Sequence, residues 1–294
     1  MEIGIAVGDV RGAVDAQGLL DQAKQADAAG IGTVWAAQGV GWDSLVALAA
    51  VGLHFPGLRL GAGVVPVPQR HPLVLAGQAL SVQAVTGNRL TLGVGAGISA
   101  LTKRMFGHTH DRPARRMREY LEVLLPLLRG ESVDHRGETV TASGRVGVPG
   151  AEPPDVLLAA LGPVMLRVAG ELTSGTVTWM TGVRTLTEHI VPTITTVNPR
   201  ARVVAGLLTC VTDDETGVRA RVAEQFALAG QVPEYRAMLD REGAAHPGDV
   251  VVVGDESTVV RHLDRIRDAG VTDFFAVPYG SAGEQLRTLA LLAG

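Results

Sequence analysis

Cysteine is nearly absent from this sequence. The only cysteine among 294 residues is Cys210, which lies within the apolar run 203–211. A single cysteine excludes an intrachain disulfide and a thiolate metal cluster, so we expect a reducing compartment. The sequence also lacks the His-Glu-x-x-His pattern of zinc enzymes and the Gly-x-Ser-x-Gly turn of serine hydrolases. Neither a metal site nor a Ser-His-Asp triad is therefore predicted.

Clusters of one charge and long apolar runs are missing too. Lys and Arg number 26 against 30 Asp and Glu, and the two signs are interspersed, unlike the pattern of a nucleic-acid-binding surface. No apolar run reaches the roughly 18 residues that a membrane helix needs, and residues 1–7 read as a strand rather than a signal peptide. We expect a cytoplasmic protein without membrane or nucleic-acid partners.

A recurring unit of an amphipathic helix, a glycine and a short strand-like run organises the chain. It appears three times, with Gly30, Gly175 and Gly270 placed just before the runs 33–35, 176–179 and 273–277. In each unit the glycine permits the positive φ that ends a helix, and the following run is typical of a strand. Helices that alternate with short strands predict a parallel α/β fold.

Eight strands are predicted on this basis, at 3–7, 33–36, 58–64, 90–94, 156–160, 176–180, 203–209 and 273–277. Eight strands favour a closed α/β fold, a (β/α)8 TIM barrel, over an open doubly wound sheet, which is the structural alternative. We expect residues 1–294 to form a single barrel domain. Two insertions interrupt the alternation: 132–147 after the fourth strand, read as a hairpin or loop, and 226–253 after the seventh, read as a helix followed by an extended segment.

Three turns at the expected carboxyl edge of the barrel are candidates for binding. Residues 93–97 (Gly-Val-Gly-Ala-Gly) let backbone N–H groups approach an anion or a flat ring, although alone they are more typical of an ordinary βα turn. Residues 159–165 place Pro163 at a helix start, whose free N–H groups can hold a phosphate. Residues 61–72 combine glycines with three prolines, which predicts a β-bulge, and His71 is expected to be a structural residue that starts the next helix.

Together these segments resemble the bacterial luciferase-like superfamily, in particular its coenzyme F420-dependent oxidoreductase branch. The likeness rests on Arg70-His71-Pro72, on Gly87-Asn88-Arg89-Leu90-Thr91-Leu92-Gly93-Val94-Gly95 and on the segment 158–175. It continues in order through Phe106-Gly107, Gly254-Asp255-Glu256 and Asp268-Ala269-Gly270. The resemblance implies a luciferase-like TIM barrel, usually a homodimer, that binds its cofactor at the carboxyl ends of the strands.

The resemblance also implies a set of site residues. The bulge Gly63-Val64-Val65 would back the deazaflavin ring, in this superfamily often through a non-proline cis peptide. Gln38 stands where relatives contact the cofactor, and Trp42 would either wall the substrate side of the ring or pack in the core. The remaining implied contacts are, for the cofactor tail, Gly95, Gly97 and Ser99, and, for its phosphate, Leu161, Gly162, Pro163 and Val164, with Gly175, Thr176 and Val177 alongside.

The acid–base residues of some relatives are missing. Sugar-phosphate dehydrogenases of this family use a histidine after the second strand and a glutamate after the fourth. Here those regions read Ala36-Ala37-Gln38-Gly39 and Gly97-Ile98-Ser99, so that oxidation is not expected. His108 and His110, in the loop after the fourth strand, are the remaining candidates for a proton donor, beside a possible catalytic role of Trp42.

The predicted reaction is hydride transfer between C5 of F420 and a small organic substrate with an activated C=C or C=N bond. Water or a weak donor can deliver the proton in such a reaction, which suits a site without a strong base. An FMN-dependent luciferase-like monooxygenase is the alternative enzyme. A non-catalytic barrel that only binds the cofactor is the alternative of another class.

Overall fold

The structure is a computed structural model that describes residues 1–107 and 111–294. Its strands, numbered in chain order, are β1 (Glu2–Val7), β2 (Thr33–Ala36), β3 (Arg59–Pro66), β4 (Leu90–Gly95), β5 (Ser132–Arg136), β6 (Thr141–Arg145), β7 (Asp155–Ala159), β8 (Gly175–Trp179), β9 (Arg202–Val211), β10 (Val252–Gly254) and β11 (Asp273–Pro278).

Eight of these strands close into a parallel barrel. They are hydrogen-bonded in the order β11, β1, β2, β3, β4, β7, β8 and β9, and β9 pairs with β11 to complete the circle. Each predicted strand corresponds to one of them, and the predicted (β/α)8 TIM barrel is confirmed. Because all eight strands are parallel, their carboxyl ends meet at one end of the barrel, which we call the mouth.

Helices alternate with the barrel strands and pack their apolar sides against them. In chain order they are α1 (Ala16–Ala28), α2 (Ser44–His54), α3 (Pro72–Thr86), α4 (Ser99–Phe106), α5 (Pro113–Leu128), α6 (Pro163–Leu172), α7 (Val183–Thr185), α8 (Val191–Val197), α9 (Glu215–Gln225), α10 (Pro233–Glu242), α11 (Glu256–Asp268) and α12 (Ala282–Ala293). A π-helical turn at Leu186–Ile190 joins α7 to α8.

Local sequence signals mark where several of these helices begin and end. Asp15 and Asp43 accept hydrogen bonds from first-turn N–H groups of α1 and α2. His71 does the same for α3 through Nδ1, which confirms its predicted structural role. Gly30 and Gly270 adopt φ values of +77° and +94° just beyond α1 and α11, as the repeating unit predicted. The prediction was wrong for Gly175, because α6 already ends at Leu172 and Gly175 is the first residue of β8.

Two stacked aromatic rings fill the barrel interior. Trp35 on β2 and Phe275 on β11 lie with ring centroids 5.3 Å apart and planes 22° apart. Glycines on neighbouring strands leave room for them: a Cβ at Gly61 would lie 2.3 Å from the Trp35 ring, and one at Gly206 would lie 2.1 Å from the Phe275 ring. The interior is therefore a packed core, and ligands reach the barrel only at its ends.

The insertion after β4 includes an antiparallel hairpin formed by β5 and β6. Glu119 on α5 anchors the hairpin turn by accepting hydrogen bonds from the backbone N–H and the hydroxyl of Thr139, both at 2.7 Å, and from the N–H of Val140 at 3.2 Å. Burial alone would raise the pKa of Glu119, but the hydrogen bonds from Thr139 and from Arg115 outweigh it and lower the pKa to about 2. The carboxylate is thus ionised and held by the hairpin.

The insertion after β9 contains α10 and then β10, in agreement with the predicted helix and extended segment. The short β10 pairs with the carboxyl end of β9 outside the barrel, at Val252 opposite Thr209. In the part of the chain that the structure describes, no helix combines the length and the apolar character needed to cross a bilayer.

Candidate functional site

The bulge in β3 shapes one wall of the mouth. Its register with β4 shifts between Ala62 and Val65, and the Gly63–Val64 peptide bond is cis. A Cβ added to Gly93 would lie 2.8 Å from Cγ1 of Val64, and one added to Gly95 would lie 3.0 Å from its Cγ2. Val64 therefore lies directly over these two glycines and is half-exposed at the mouth, as the bulge prediction requires.

Val65 points the other way. Its side chain is fully buried in the outer core between barrel and helices, so only its backbone belongs to this wall. Gly63 and Gly95, by contrast, share the wall with Val64. The structure thus brings together Gly63, Val64 and Gly95 from the predicted set and leaves the side chain of Val65 outside it.

Gln38 lies beside the bulge and is held there by Arg70. The backbone N–H of Gln38 donates to the carbonyl of Val64 at 3.4 Å, and its side-chain Oε1 accepts from Nη2 of Arg70 at 3.0 Å. The Arg70 side chain is only 8% exposed and forms an ion pair with Asp43. This arrangement leaves Nε2 as the donor group of the Gln38 amide that is available for other contacts.

Three buried polar atoms at or near Arg70 lack a hydrogen-bond partner within residues 1–107 and 111–294. They are Nη1 of Arg70, Nε of Arg116 and the hydroxyl of Tyr120. Burial raises the pKa of Tyr120, while the nearby charges of Arg70 and Arg116 act in the opposite direction. Sequence reasoning missed this group. The available signal was the four-residue spacing of Arg116 and Tyr120 on α5, which puts both on one helix face.

Two helices begin at the mouth without a side-chain cap. α4 begins at Ser99 after the glycine turn that ends with Gly97, and α6 begins at Pro163 after Gly162. Their strands, β4 and β7, are hydrogen-bonded neighbours, so both starts lie on the same side of the mouth. Uncapped first-turn N–H groups and the helix dipole attract an anion, and Val164 in the first turn of α6 is 64% exposed.

His189 holds the turn before α6 in place. Its Nε2 lies 2.8 Å from the carbonyl oxygen of Leu161, to which it can donate a hydrogen bond. The histidine lies in the π-helical turn Leu186–Ile190, a feature that often marks functional sites. Sequence reasoning did not single it out, because 28 residues separate the partners.

The structure places Gly175, Thr176 and Val177 away from the mouth, which argues against the predicted cofactor contact. Gly175 is the first residue of β8, at the amino end of the barrel, and a Cβ there would lie 1.9 Å from the carbonyl oxygen of Arg202. Thr176 is fully buried and donates to the carbonyl of Leu158, and Val177 packs inside the barrel. Close packing between neighbouring strands therefore accounts for the residue types at these three positions.

Of the three catalytic candidates, Trp42 lies within the described residues. Nε1 of Trp42 donates to the carbonyl of Val14 at 2.9 Å, and its ring packs against the outer core, so it ties two loops of the mouth together. Its proposed place at the substrate side of the ring stays a prediction. His108 and His110 lie outside the described residues.

A cavity opens on the opposite side of the mouth. It has a volume of about 460 Å³ and lies at the carboxyl ends of β9 and β11 and beside the turn Asp9–Arg11 that follows β1. Its walls include Arg11, Leu208, Phe226 and Tyr279. In the closed barrel of eight strands, β9 and β11 stand three or four strands away from β3 and β4, so this cavity faces the Val64 wall across the mouth.

Solved structures of similar fold include flavin and deazaflavin enzymes. The coenzyme F420-dependent tetrahydromethanopterin reductase of Methanopyrus kandleri superposes with a TM-score of 0.82 at 20% identity, over 99% of this chain and 97% of that one. The oxygenating component of 3,6-diketocamphane monooxygenase from Pseudomonas putida, solved with FMN, gives a TM-score of 0.76 at 17% identity, over 100% and 97%. At these identities the likeness concerns the fold.

Similar sequences are known among curated proteins. A 5,10-methylenetetrahydromethanopterin reductase of Archaeoglobus fulgidus is 34% identical over 40% of this chain and 35% of its own length. A candidate coenzyme F420-dependent oxidoreductase of Mycobacterium tuberculosis is 28% identical over 60% of this chain and 54% of its own length. The matches thus span about a third to a half of these relatives.

The family comparison covers far more of the chain. The model of the luciferase-like monooxygenases matches residues 1–273 of 294. That span includes the bulge wall, both uncapped helix starts and seven of the eight barrel strands, and it ends at the first residue of β11. The chain therefore belongs to the luciferase-like monooxygenase family.

Proposed function

We propose that this protein is an F420-dependent oxidoreductase that transfers a hydride between C5 of the deazaflavin and a small organic substrate. The observation that carries the proposal is the mouth itself: an apolar wall at Val64 next to two uncapped helix starts. The family and the relatives, among them a 5,10-methylenetetrahydromethanopterin reductase and a candidate F420-dependent oxidoreductase, support an oxidoreductase. They do not decide between F420 and FMN, so the cofactor is part of the proposal.

The residues present fit such a cofactor. Glycines at 93 and 95 leave a flat surface under Val64, and a side chain at either position would contact that valine. An anionic phosphate suits the first turn of α6, because nothing lies within 4 Å of a Cβ built on Gly162 and no side chain caps the helix. Arg70, which donates to Gln38 through Nη2, also carries a buried Nη1 without a partner among the described residues.

Each part of the mouth then has one task. When bound, reduced F420 supplies a hydride from C5, the substrate also takes up one proton, and the cofactor is oxidised by two electrons. Val64 would contact the ring, Gln38 would offer it an amide N–H, and the first turns of α4 and α6 would hold its anionic end. The packed rings of Trp35 and Phe275 fill the barrel interior and exclude water from that side of the mouth. A substrate with an activated C=C or C=N bond suits this mouth, because no strong base is required.

FMN-dependent monooxygenation is the second candidate. The likeness to the FMN-bound monooxygenase of Pseudomonas putida favours it, because fold and phosphate-binding helix starts serve either cofactor. A non-catalytic cofactor-binding barrel is the remaining alternative, and it predicts tight cofactor binding without turnover of enones or imines.

Fluorescence titration with oxidised F420, and with FMN in parallel, tests the proposal. We expect saturable F420 binding at micromolar or lower concentration and much weaker FMN binding. Preferential FMN binding would move the function to monooxygenation. Binding of neither cofactor would overturn both enzymatic proposals.

A charge variant tests the phosphate position. Val164→Glu puts a carboxylate in the first turn of α6, where it suits the helix dipole but repels an anion. We expect F420 binding to weaken at least about tenfold, while the protein stays folded. The matched control is Val260→Glu on α11, also an exposed valine in a helix, which should leave binding unchanged. Equal binding by both variants would place the phosphate elsewhere.

The proposal extends to assembly and location. We propose a cytoplasmic homodimer that acts on a small molecule and has no nucleic-acid or membrane partner. Light scattering after size exclusion measures the dimer directly, and a monomeric mass over a wide concentration range would contradict it.

A further inference from the structure

Arg11 carries buried N–H groups that the protein does not satisfy. Its Nη2 donates to Oε1 of Gln285 at 2.6 Å, but Nε and Nη1 are buried without a hydrogen-bond partner among the side chains that the structure describes. Burial lowers the pKa of Arg11 to about 10, so the side chain still carries its charge at neutral pH. Leaving buried, charged donors unpaired costs more than an ordinary lost hydrogen bond, so an acceptor from outside the chain is expected.

Arg11 is one of the residues that line the cavity of about 460 Å³ that faces the Val64 wall. That volume lies in the range of small-molecule sites, which usually combine apolar walls with a few placed polar groups. Leu208, Phe226 and Tyr279 supply apolar surface here. The hydroxyl of Tyr279 is already engaged with Oε1 of Gln225 at 2.9 Å, which leaves its ring as the contact surface.

The charges around this cavity favour an anion. Arg221 also lines it and pairs with Asp214 at 3.2 Å. The one acidic side chain among the cavity's lining residues is Glu284, whose oxygens accept from the hydroxyl of Thr212 and from the N–H and hydroxyl of Ser281. These hydrogen bonds lower the pKa of Glu284 and occupy its oxygens. Among the side chains that the structure describes, no carboxylate pairs with Arg11, and its Nε and Nη1 have no acceptor.

We propose that this cavity holds a carboxylate-bearing organic substrate, with the carboxylate on Arg11 and the apolar part against Phe226 and Tyr279. The substrate class rests on the proposed function, because the cavity faces the wall where the cofactor ring is placed. An arginine–carboxylate contact is a charge-assisted hydrogen bond and fixes orientation as well as affinity. The substrate's reducible bond then lies between Arg11 and Val64.

Calorimetric titration of the whole protein with trans-cinnamate and trans-cinnamamide tests the carboxylate site without turnover. The two probes share shape and double bond and differ in charge. We expect cinnamate to bind and Arg11→Gln to weaken its binding at least about tenfold, while Arg11→Lys keeps part of the affinity. Arg267→Gln is the matched control, because that exposed arginine pairs only with Asp264 on α11. No cinnamate binding, or equal binding by wild type and Arg11→Gln, would overturn the proposal.

A second experiment separates the substrate from the acidic tail of the cofactor, which offers the same carboxylate chemistry. F420 carrying one or several glutamates is titrated into wild type and Arg11→Gln. Equal F420 affinities in both proteins, together with lost cinnamate binding, support a substrate site. A loss of F420 affinity that grows with the number of glutamates assigns Arg11 to the tail and overturns the substrate role. Absent F420 binding with Arg11-dependent cinnamate binding would refute the proposed function and leave the carboxylate site supported.

Discussion

The glycine at 206 makes a sharp test of how the barrel interior is packed. A methyl group at this position on β9 would lie 2.1 Å from Cζ of Phe275, whereas carbon atoms in contact are separated by about 3.5–4.0 Å. The ring cannot simply move aside, because Trp35 stacks against it. Overpacking of this kind typically costs about 1–3 kcal/mol, and we expect Gly206→Ala to lie near the upper end.

A second substitution that removes the overlap between the new methyl group and the Phe275 ring checks the size of this stability loss. Phe275→Leu alone leaves a cavity and should cost about 2 kcal/mol. In the double variant the new methyl fills part of that cavity. We therefore expect its loss of stability to be about 2 kcal/mol smaller than the sum of the two single losses, because residues in contact are energetically coupled.

Thermal unfolding of the four proteins under identical conditions measures this coupling. With about 2 °C of melting temperature per kcal/mol, Gly206→Ala should melt about 6 °C below wild type. Gly283→Ala is the matched control: it lies in α12, nothing is within 4 Å of its Cβ, and alanine favours the helix, so stability should rise slightly. A mild Gly206→Ala effect, or strictly additive changes in the double variant, would refute the packing argument.

Three further predictions concern other parts of the fold. Glu119→Gln should destabilise the protein by about 3 kcal/mol above pH 5, because the pKa of Glu119 is lowered to about 2 in the folded state. The stability that the ionised Glu119 gives the wild type is lost as the pH falls from about 4.5 through about 2. The urea midpoints of the two proteins should therefore converge at low pH. Gly175→Ala should lower the yield of folded protein or its melting temperature, because its Cβ would overlap the carbonyl oxygen of Arg202. A variant that is stable but fails to bind F420 would instead support the predicted contact between Gly175 and the cofactor. His189→Ala should weaken F420 binding several-fold with little change in melting temperature, because the carbonyl of Leu161 loses its anchor; unchanged affinity in the titration would show that the turn is held without it.

Much of the architecture was encoded locally and could be predicted from the sequence. Glycines such as Gly30 and Gly270 mark helix ends by the positive φ that other residues rarely adopt, and strand-like runs follow them. Eight such strands predict a closed barrel. The combination of glycines and prolines at 61–72 predicted the bulge at Val64, because irregular strand geometry needs those residue types nearby.

The carried-over phosphate contacts show where sequence reasoning stopped. Gly162 and Gly175 flank the same helix, but one follows a strand and the other begins the next strand, so they stand at opposite ends of the barrel. Parallel topology alone would have separated them, since a residue that opens a strand lies at the amino end.

The contacts between distant parts of the chain were decided by the tertiary structure alone. Trp35 and Phe275 meet inside the barrel, and Arg11 reaches Gln285 across 274 positions, while two of its buried nitrogens have no partner among the described side chains. No local pattern encodes such contacts, because they depend on which strands become neighbours when the barrel closes. The sequence by itself thus determined the family, the order of elements and the wall at Val64. The fold decided which side chains fill the core and which remain open to a ligand, because burial and pairing are properties of the closed barrel.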